Sequence, residues 1–229
     1  MNIETRSWRE NSALASKGYA SATVHNTVLE VLRSVQPDGS LLDFGAGVGT
    51  FAKELLRTFN LTKLVGADLL PRPDELPESI EWIQSDLNDS LLLPDASFDV
   101  ITAVEVIEHL ENPRAVFREL QRLLRPDGIL VLSTPNQESL RSYVTLMLNG
   151  HFASFRSQNY PAHITALLRE DFVRISRETG FESPNFRYTN LGRIPMMTRY
   201  SWQQVSWGKL KGRLFSDNLV VCTKRISQV

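Results

Sequence analysis

The chain has 229 residues, 42% hydrophobic and 22% charged, with a formal net charge of −1. That length fits one domain around a single large core, and the composition excludes a disordered or fibrous chain. The balanced charge excludes a global basic field for nucleic acid, so any such partner needs a local patch.

The N-terminal stretch MNIETRSWRE is polar and charged and does not resemble a signal peptide. No apolar run reaches the roughly 18 residues needed to span a bilayer. The one cysteine, Cys222, forms no internal disulfide and reads as a small buried residue in the apolar run LVVC. These features give the expectation of a cytoplasmic protein.

Residues from about 9 to 35 read as helical, with Val28, Leu29, Val31, Leu32 and Val35 on one face. SLLDFG is a short strand that runs into a glycine turn, and TFAKELLRTF is the helix after it. KLVGADL, IEWIQSDL and FDVITAVEV read as a second, third and fourth strand. Helix follows from about 112 to 124. DGILVLSTP is a fifth strand, entered through a turn at Pro126-Asp127-Gly128. Buried strands joined by helical crossovers predict a parallel sheet with helices on both faces.

Beyond Pro135 the alternation loosens. The amphipathic stretch SLRSYVTLMLNGHFASF comes first, then the helix REDFVRISRETGF with Gly180 as its C-cap. Strands FRYTNL and NLVVCTKR flank an insertion at 192–217. Tyr143, Phe152, Phe155 and Tyr160 can stack on a ring or form the core of a lid. Residues 183–216 carry Arg187, Arg193, Arg199, Lys209, Lys211 and Arg213 and no acid. This run reads either as a solvated loop with Trp202 and Trp207 in the core, or as a basic flap that contacts an anionic acceptor group or an anionic membrane face.

In LLDFGAGVGT, Gly45, Gly47 and Gly49 give G-x-G-x-G, and Thr50 stands where a dinucleotide fingerprint has its third small residue. Asp43, two residues before the first glycine, would repel a pyrophosphate but suits a ligand carrying an ammonium or sulfonium charge. Asp68, at the end of the second strand, can accept both ribose hydroxyls of an adenosine. Asp86 and Leu87, after the third strand, can hold an adenine edge. Ligands of open α/β sheets bind at this carboxyl edge.

In order, LLDFGAGVGTFAKEL, VGADL, IQSDL, FDVITAVEVIEHLENP and LLRPDGILVLSTPN resemble the motifs of class I S-adenosylmethionine-dependent methyltransferases over residues 40–136. The resemblance implies a Rossmann-like three-layer αβα sandwich, whose seven-stranded, mostly parallel sheet has its last strand antiparallel. It implies a single domain over 1–229, with N-terminal helices at 1–39, a cofactor-binding core at 40–136 and an acceptor-side half with lid insertions at 137–229. S-adenosylmethionine would contact Asp43, Gly45, Gly47, Asp68, Leu69, Asp86, Leu87 and Glu105.

If VIEHL makes a helical turn, Glu105, Glu108 and His109 share one face and can bind a divalent metal. Similar Glu-x-x-Glu-His elements occur in ubiquinone-pathway O-methyltransferases and small-RNA 3′-terminal 2′-O-methyltransferases. In the latter a distant His completes the metal site, the place that His163 resembles. The metal-free alternative makes His109 or His163 a catalytic general base. His25 and His151 read as surface or packing residues.

The segment GHFASFRSQNYPAHITALL resembles the corresponding region of glycan-associated methyltransferases. The leading reading is O-methylation of a hydroxyl on a small molecule or glycan. The alternatives are a metal-dependent RNA 2′-O-methyltransferase, a non-catalytic cofactor-binding subunit and, more remotely, an NAD oxidoreductase. The acceptor and the oligomeric state leave no mark in the sequence.

Overall fold

The computed structural model describes residues 9–11 and 20–227. In chain order the strands are β1 (Ser40–Phe44), β2 (Lys63–Asp68), β3 (Ile80–Gln84), β4 (Phe98–Val104), β5 (Leu124–Pro135), β6 (Asn185–Tyr188), β7 (Arg193–Ile194), β8 (Met197–Ser201) and β9 (Asn218–Lys224). The helices are α1 (Ala22–Val35), α2 (Thr50–Thr58), α3 (Pro113–Leu123), α4 (Leu140–Asn149), α5 (Arg169–Glu178) and the short α6 (Trp202–Val205). Seven strands form one sheet in the order β3-β2-β1-β4-β5-β9-β6, and β7 pairs with β8 in a separate hairpin. Strands β1 to β5 are parallel, and β9 runs antiparallel to both β5 and β6. This is the Rossmann-like sandwich expected, with the last strand in the chain reversed.

The apolar run of β1 is buried throughout because helices cover both faces of the sheet. On one face α1 and α2 place Val24, Val28, Leu32, Phe51 and Leu55 against Leu41, Val100, Val131 and Val220. On the other, α3 and α5 place Phe117, Leu120, Phe172 and Ile175 against Leu42, Ile101, Leu130 and Val221. Ser21 caps α1 by accepting from the Val24 N–H. Of the helix expected over 9–35, residues 9–11 and α1 are helical, while 12–19 lie outside the described residues.

Three local expectations change. The Pro126-Asp127-Gly128 turn does not precede β5 but interrupts it. The ladder steps from Phe98↔Leu124 to Val100↔Ile129, with Asp127 in left-handed backbone at φ 65°. The amphipathic stretch after Pro135 resolves into α4, which Ser139 caps and Gly150 ends at φ 74°. The strand read in FRYTNL ends at Tyr188, and the insertion beyond it carries the β7–β8 hairpin and α6. Gly180 follows α5 at φ 80°, as expected of a residue just past a helix end. Cys222 sits half-buried in β9, where burial pushes its thiol pKa up and keeps it inert. Among the described residues no helix is long and apolar enough to cross a membrane.

Phe117 is fully buried, edge-on to Phe181 at 5.9 Å and tilted toward Phe172 at 6.3 Å. It joins α3 to α5 and to the chain just beyond α5. Phe117→Ala should therefore cost about 3–5 kcal/mol in a denaturant titration, the scale for emptying a buried aromatic site. A loss below about 1 kcal/mol would mean that this layer is not the packed core described.

Candidate active site

The chain leaves β1 through three glycines in left-handed backbone, Gly45 at φ 82°, Gly47 at 54° and Gly49 at 75°. Two backbone bonds hold the turn against β2: the Gly45 and Ala46 N–H groups both donate to the Ala67 carbonyl, at 2.8 and 3.1 Å. Gly45 is required by packing as well as by φ, since a Cβ there would lie 2.3 Å from a Val106 methyl. The Asp68 carboxylate accepts from the Gly47 N–H at 2.7 Å and from the Leu70 N–H at 2.9 Å. Asp68 thus clamps the turn and also presents its carboxylate beside it.

Asp43 is buried under the same turn. Its Oδ1 accepts from the Thr102 hydroxyl at 2.9 Å, and Oδ2 has no partner among the described residues. Burial, opposed by that one bond and reinforced by nearby Asp68, pushes the Asp43 pKa up to about 7. Burial likewise raises Asp68, against the backbone N–H groups that bind it.

Asp86 behaves differently. Burial opposes its ionisation, but bonds from Arg9 and Asn88 outweigh that and hold it below the usual carboxylate range. Arg9 donates to Asp86 Oδ2 at 2.7 Å and, with its other nitrogens, to Glu111 at 2.9 and 2.8 Å. Asn88 occupies Oδ1 through its backbone and side-chain nitrogens. With one donor from Arg9 on it, Oδ2 keeps capacity for one more, such as an adenine amino group.

The EVIEH element is not one continuous helical turn. Glu105 sits in left-handed backbone at φ 54°, and a single 3₁₀ turn begins only at Ile107. The i, i+3, i+4 register assumed from sequence therefore does not hold, and the Glu105 carboxylate bonds across to β5 and β9 instead. Its oxygens accept from the Ser133 hydroxyl and from the Asn218 amide, both at 2.9 Å. Glu108 is fully buried. Its Oε2 accepts from Thr134 at 3.1 Å, and Oε1 has no partner among the described residues. Burial raises both glutamates, and their mutual repulsion adds to it at Glu105.

His163 reaches this turn because the Ile164 and Thr165 N–H groups donate to the Glu108 carbonyl at 2.9 and 3.0 Å. The His109 and His163 rings meet edge-on at 4.9 Å, with Phe155 against His163 at 5.5 Å. His109 Nδ1 lies 2.7 Å from the Ala162 carbonyl, which requires the proton on Nδ1 and leaves Nε2 with a lone pair. Burial lowers His109, and burial with His109 beside it pushes His163 down to about 4. Both shifts favour the neutral imidazole, the form that accepts a proton or ligates a metal. One ligand-capable atom from each of Glu108, His109 and His163 lies within 4.8 Å of the others. The structure groups these three of the expected four and leaves Glu105 outside.

A cavity of about 580 Å³ at the carboxyl edge of β1, β2 and β4 joins these groups. Asp43, Gly45, Gly47, Asp68, Leu69, Asp86 and Leu87 line it together with Glu105, Glu108, His109 and His163. Of the four aromatics expected near the acceptor, Tyr160 lines the cavity, and Phe155 instead supports His163. His25 is a packing residue against Phe51 and Glu54, as expected, yet it also lines the cavity. The sequence reading missed Arg9, Thr102, Ser133 and Asn218. These residues lie on β4, β5 and β9 or in the polar N-terminal stretch, far along the chain from the acids they bond, and no local spacing marks them.

A family model described as a methyltransferase domain matches residues 17–183. A ubiquinone biosynthesis O-methyltransferase of Actinobacillus pleuropneumoniae is 28% identical over 124 residues, 49% of this chain and 52% of that relative. A malonyl-[acyl-carrier protein] O-methyltransferase of Bacteroides fragilis is 27% identical over 188 residues, 76% of this chain and 36% of that relative. The chain thus spans about half the length, or less, of these curated relatives. A crystal structure of an S-adenosylmethionine-dependent methyltransferase from Thermotoga maritima superposes with a TM-score of 0.62 at 18% identity, covering 88% of this chain and 90% of that one. The chain belongs to the methyltransferase-domain family, the class I S-adenosylmethionine-dependent methyltransferases.

The raised Asp43 pKa gives a pH prediction. A cationic amino group or sulfonium binds the ionised carboxylate, so affinity grows as pH rises through the pKa of the free protein, about 7, and levels off above it. Calorimetric titration with S-adenosylhomocysteine should show roughly tenfold weaker binding per unit below that point. Asp43→Asn should lower the plateau and remove most of the slope. An unchanged slope in the variant would assign the dependence to another group.

Proposed function

We propose that the chain transfers a methyl group from S-adenosylmethionine to a hydroxyl oxygen of a small molecule. The observation that carries this reading is one cavity with acids for an adenosine and a cationic methionine end on one side, and two half-buried imidazoles of lowered pKa on the other. Methyl transfer from a sulfonium is an in-line displacement in which the cofactor supplies the reactive group. The chain must align the two partners and exclude water. In this reading Asp68 holds the ribose, Asp86 and Leu87 the adenine, and Asp43 the amino group, while Leu69 and Glu105 complete the wall. His109 Nε2 or His163 takes the proton released by the acceptor hydroxyl. The relatives named for ubiquinone biosynthesis and malonyl-[acyl-carrier protein] are both O-methyltransferases, which favours oxygen as the methylated atom. A sugar hydroxyl presents the same chemistry to this wall.

A second reading rests on Glu108 Oε1 and His163 Nδ1, both buried without partners among the described residues. With His109 Nε2 they form a two-histidine, one-carboxylate set that suits a divalent transition metal. Such an ion, when bound, supplies Lewis acidity that lowers the pKa of an acceptor hydroxyl. Glu105 would stay outside that set and line the cofactor side.

Purified protein supplied with labelled S-adenosylmethionine and panels of phenols and sugars should methylate a hydroxyl of one class. His163→Ala should then cost roughly 10²–10⁴ in rate. Elemental analysis of protein equilibrated with Zn²⁺ or Mn²⁺ and desalted decides the metal. Retention by the wild type that is lost in both His109→Ala and His163→Ala supports it. Full turnover in excess chelator, with no metal retained, leaves the base role alone.

A further inference from the structure

The insertion between β6 and β9 is built as a small projecting unit. Trp202 packs edge-on against Phe215 at 5.4 Å, and the Gln203 amide donates to the Leu210 and Phe215 carbonyls while its oxygen accepts from the Gly192 N–H. These contacts fix the base of the unit and leave its outer parts uncovered. Met196, at the tip of the β7–β8 hairpin, is 87% exposed, and Trp207, just after α6, is 76% exposed. Met197 and Tyr200 are exposed along β8. Both Met196 (φ 61°) and Trp207 (φ 51°) sit in left-handed backbone, which favours Gly or Asn over large apolar residues. The alternative that placed both tryptophans in the core holds for neither, since Trp202 is half-buried against Phe215 within the insertion and Trp207 is exposed.

The charge on the same unit has one sign. Residues 183–216 contain no acid. Arg199, Lys209 and Lys211 are exposed and have no ion pair among the described residues. Exposed aromatic and aliphatic side chains interleaved with unpaired cations complement a surface that is anionic outside and apolar beneath.

We infer that this unit docks the protein on the anionic face of a phospholipid bilayer, with Met196, Met197 and Trp207 entering the headgroup–acyl boundary and Arg199, Lys209 and Lys211 on lipid phosphates. Aliphatic methionines at a hairpin tip do not stack on bases, which favours lipid over a nucleic-acid strand. The unit hangs from the same sheet edge as the cavity. Asn136, just past β5, donates to the Arg213 and Ser216 carbonyls, and Asn218, at the start of β9, bonds Glu105 in the cavity wall. The inference does not rest on the methyl-transfer reading, because docking is measured without turnover.

Co-sedimentation of the whole protein with vesicles tests it, using phosphatidylcholine alone and a phosphatidylcholine–phosphatidylglycerol mixture. The protein should partition onto the mixed vesicles at low salt, more weakly onto phosphatidylcholine alone, and should be released as salt rises. Lys209→Gln with Lys211→Gln should lower partition by about tenfold or more, since each cation near such a surface contributes appreciably. Met196→Asp and Trp207→Ser, both at exposed positions, should lower it while S-adenosylhomocysteine binding stays unchanged. Absence of binding to either vesicle, equal binding to both, or variants that bind like the wild type would overturn the proposal. So would a dimer that Met196→Asp dissolves, or tighter retention by single-stranded RNA than by the mixed vesicles.

Discussion

The site is organised by carboxylates gathered at one sheet edge where water is scarce. Asp43 and Glu108 are buried with one oxygen each left unpartnered among the described residues, and Asp68 spends both of its oxygens on backbone N–H groups. An uncompensated buried charge is costly, so burial raises the pKa of all three acids and favours the protonated form more than water does. The arrangement becomes favourable when something positive arrives. In the proposed reading a ligand with an ammonium and a sulfonium would meet that need at Asp43, and a divalent ion would meet it at Glu108. The glycine turn is tied to the same acids, because Asp68 closes it through the Gly47 N–H.

The fold was legible because its signals are local. Strands β1, β2 and β4 are short apolar runs that meet an acid or a glycine at their carboxyl ends, and helices such as TFAKELLRTF carry a clear apolar face. The three acids Asp43, Asp68 and Asp86 are each placed by a strand end, so their convergence follows once the strands are taken as parallel neighbours. The interruption of β5 was missed because Pro126-Asp127-Gly128 has turn chemistry wherever it falls. Nothing local says that the ladder resumes Phe98↔Leu124 pairing upstream of it.

The grouping of Glu108, His109 and His163 was legible in its membership but not in its geometry. His163 joins His109 through bonds between backbone groups, Ile164 and Thr165 to Glu108, which carry no residue signature. Glu105 was expected on the face of a helix, yet its left-handed backbone aims it at Ser133 and Asn218 on other strands. Arg9 bridges Asp86 to Glu111 from a stretch whose composition shows only polarity. In each case the missing information is a long-range contact, and spacing along the chain does not encode it.

The central claim is that the buried acids select a positively charged nucleoside ligand over a pyrophosphate-linked one. A calorimetric competition between S-adenosylhomocysteine and NAD at pH 8, where Asp43 is mostly ionised, tests it most directly. The account predicts one site for S-adenosylhomocysteine with a dissociation constant in about the micromolar range, and no displacement by NAD. Binding of NAD in preference to S-adenosylhomocysteine would contradict it.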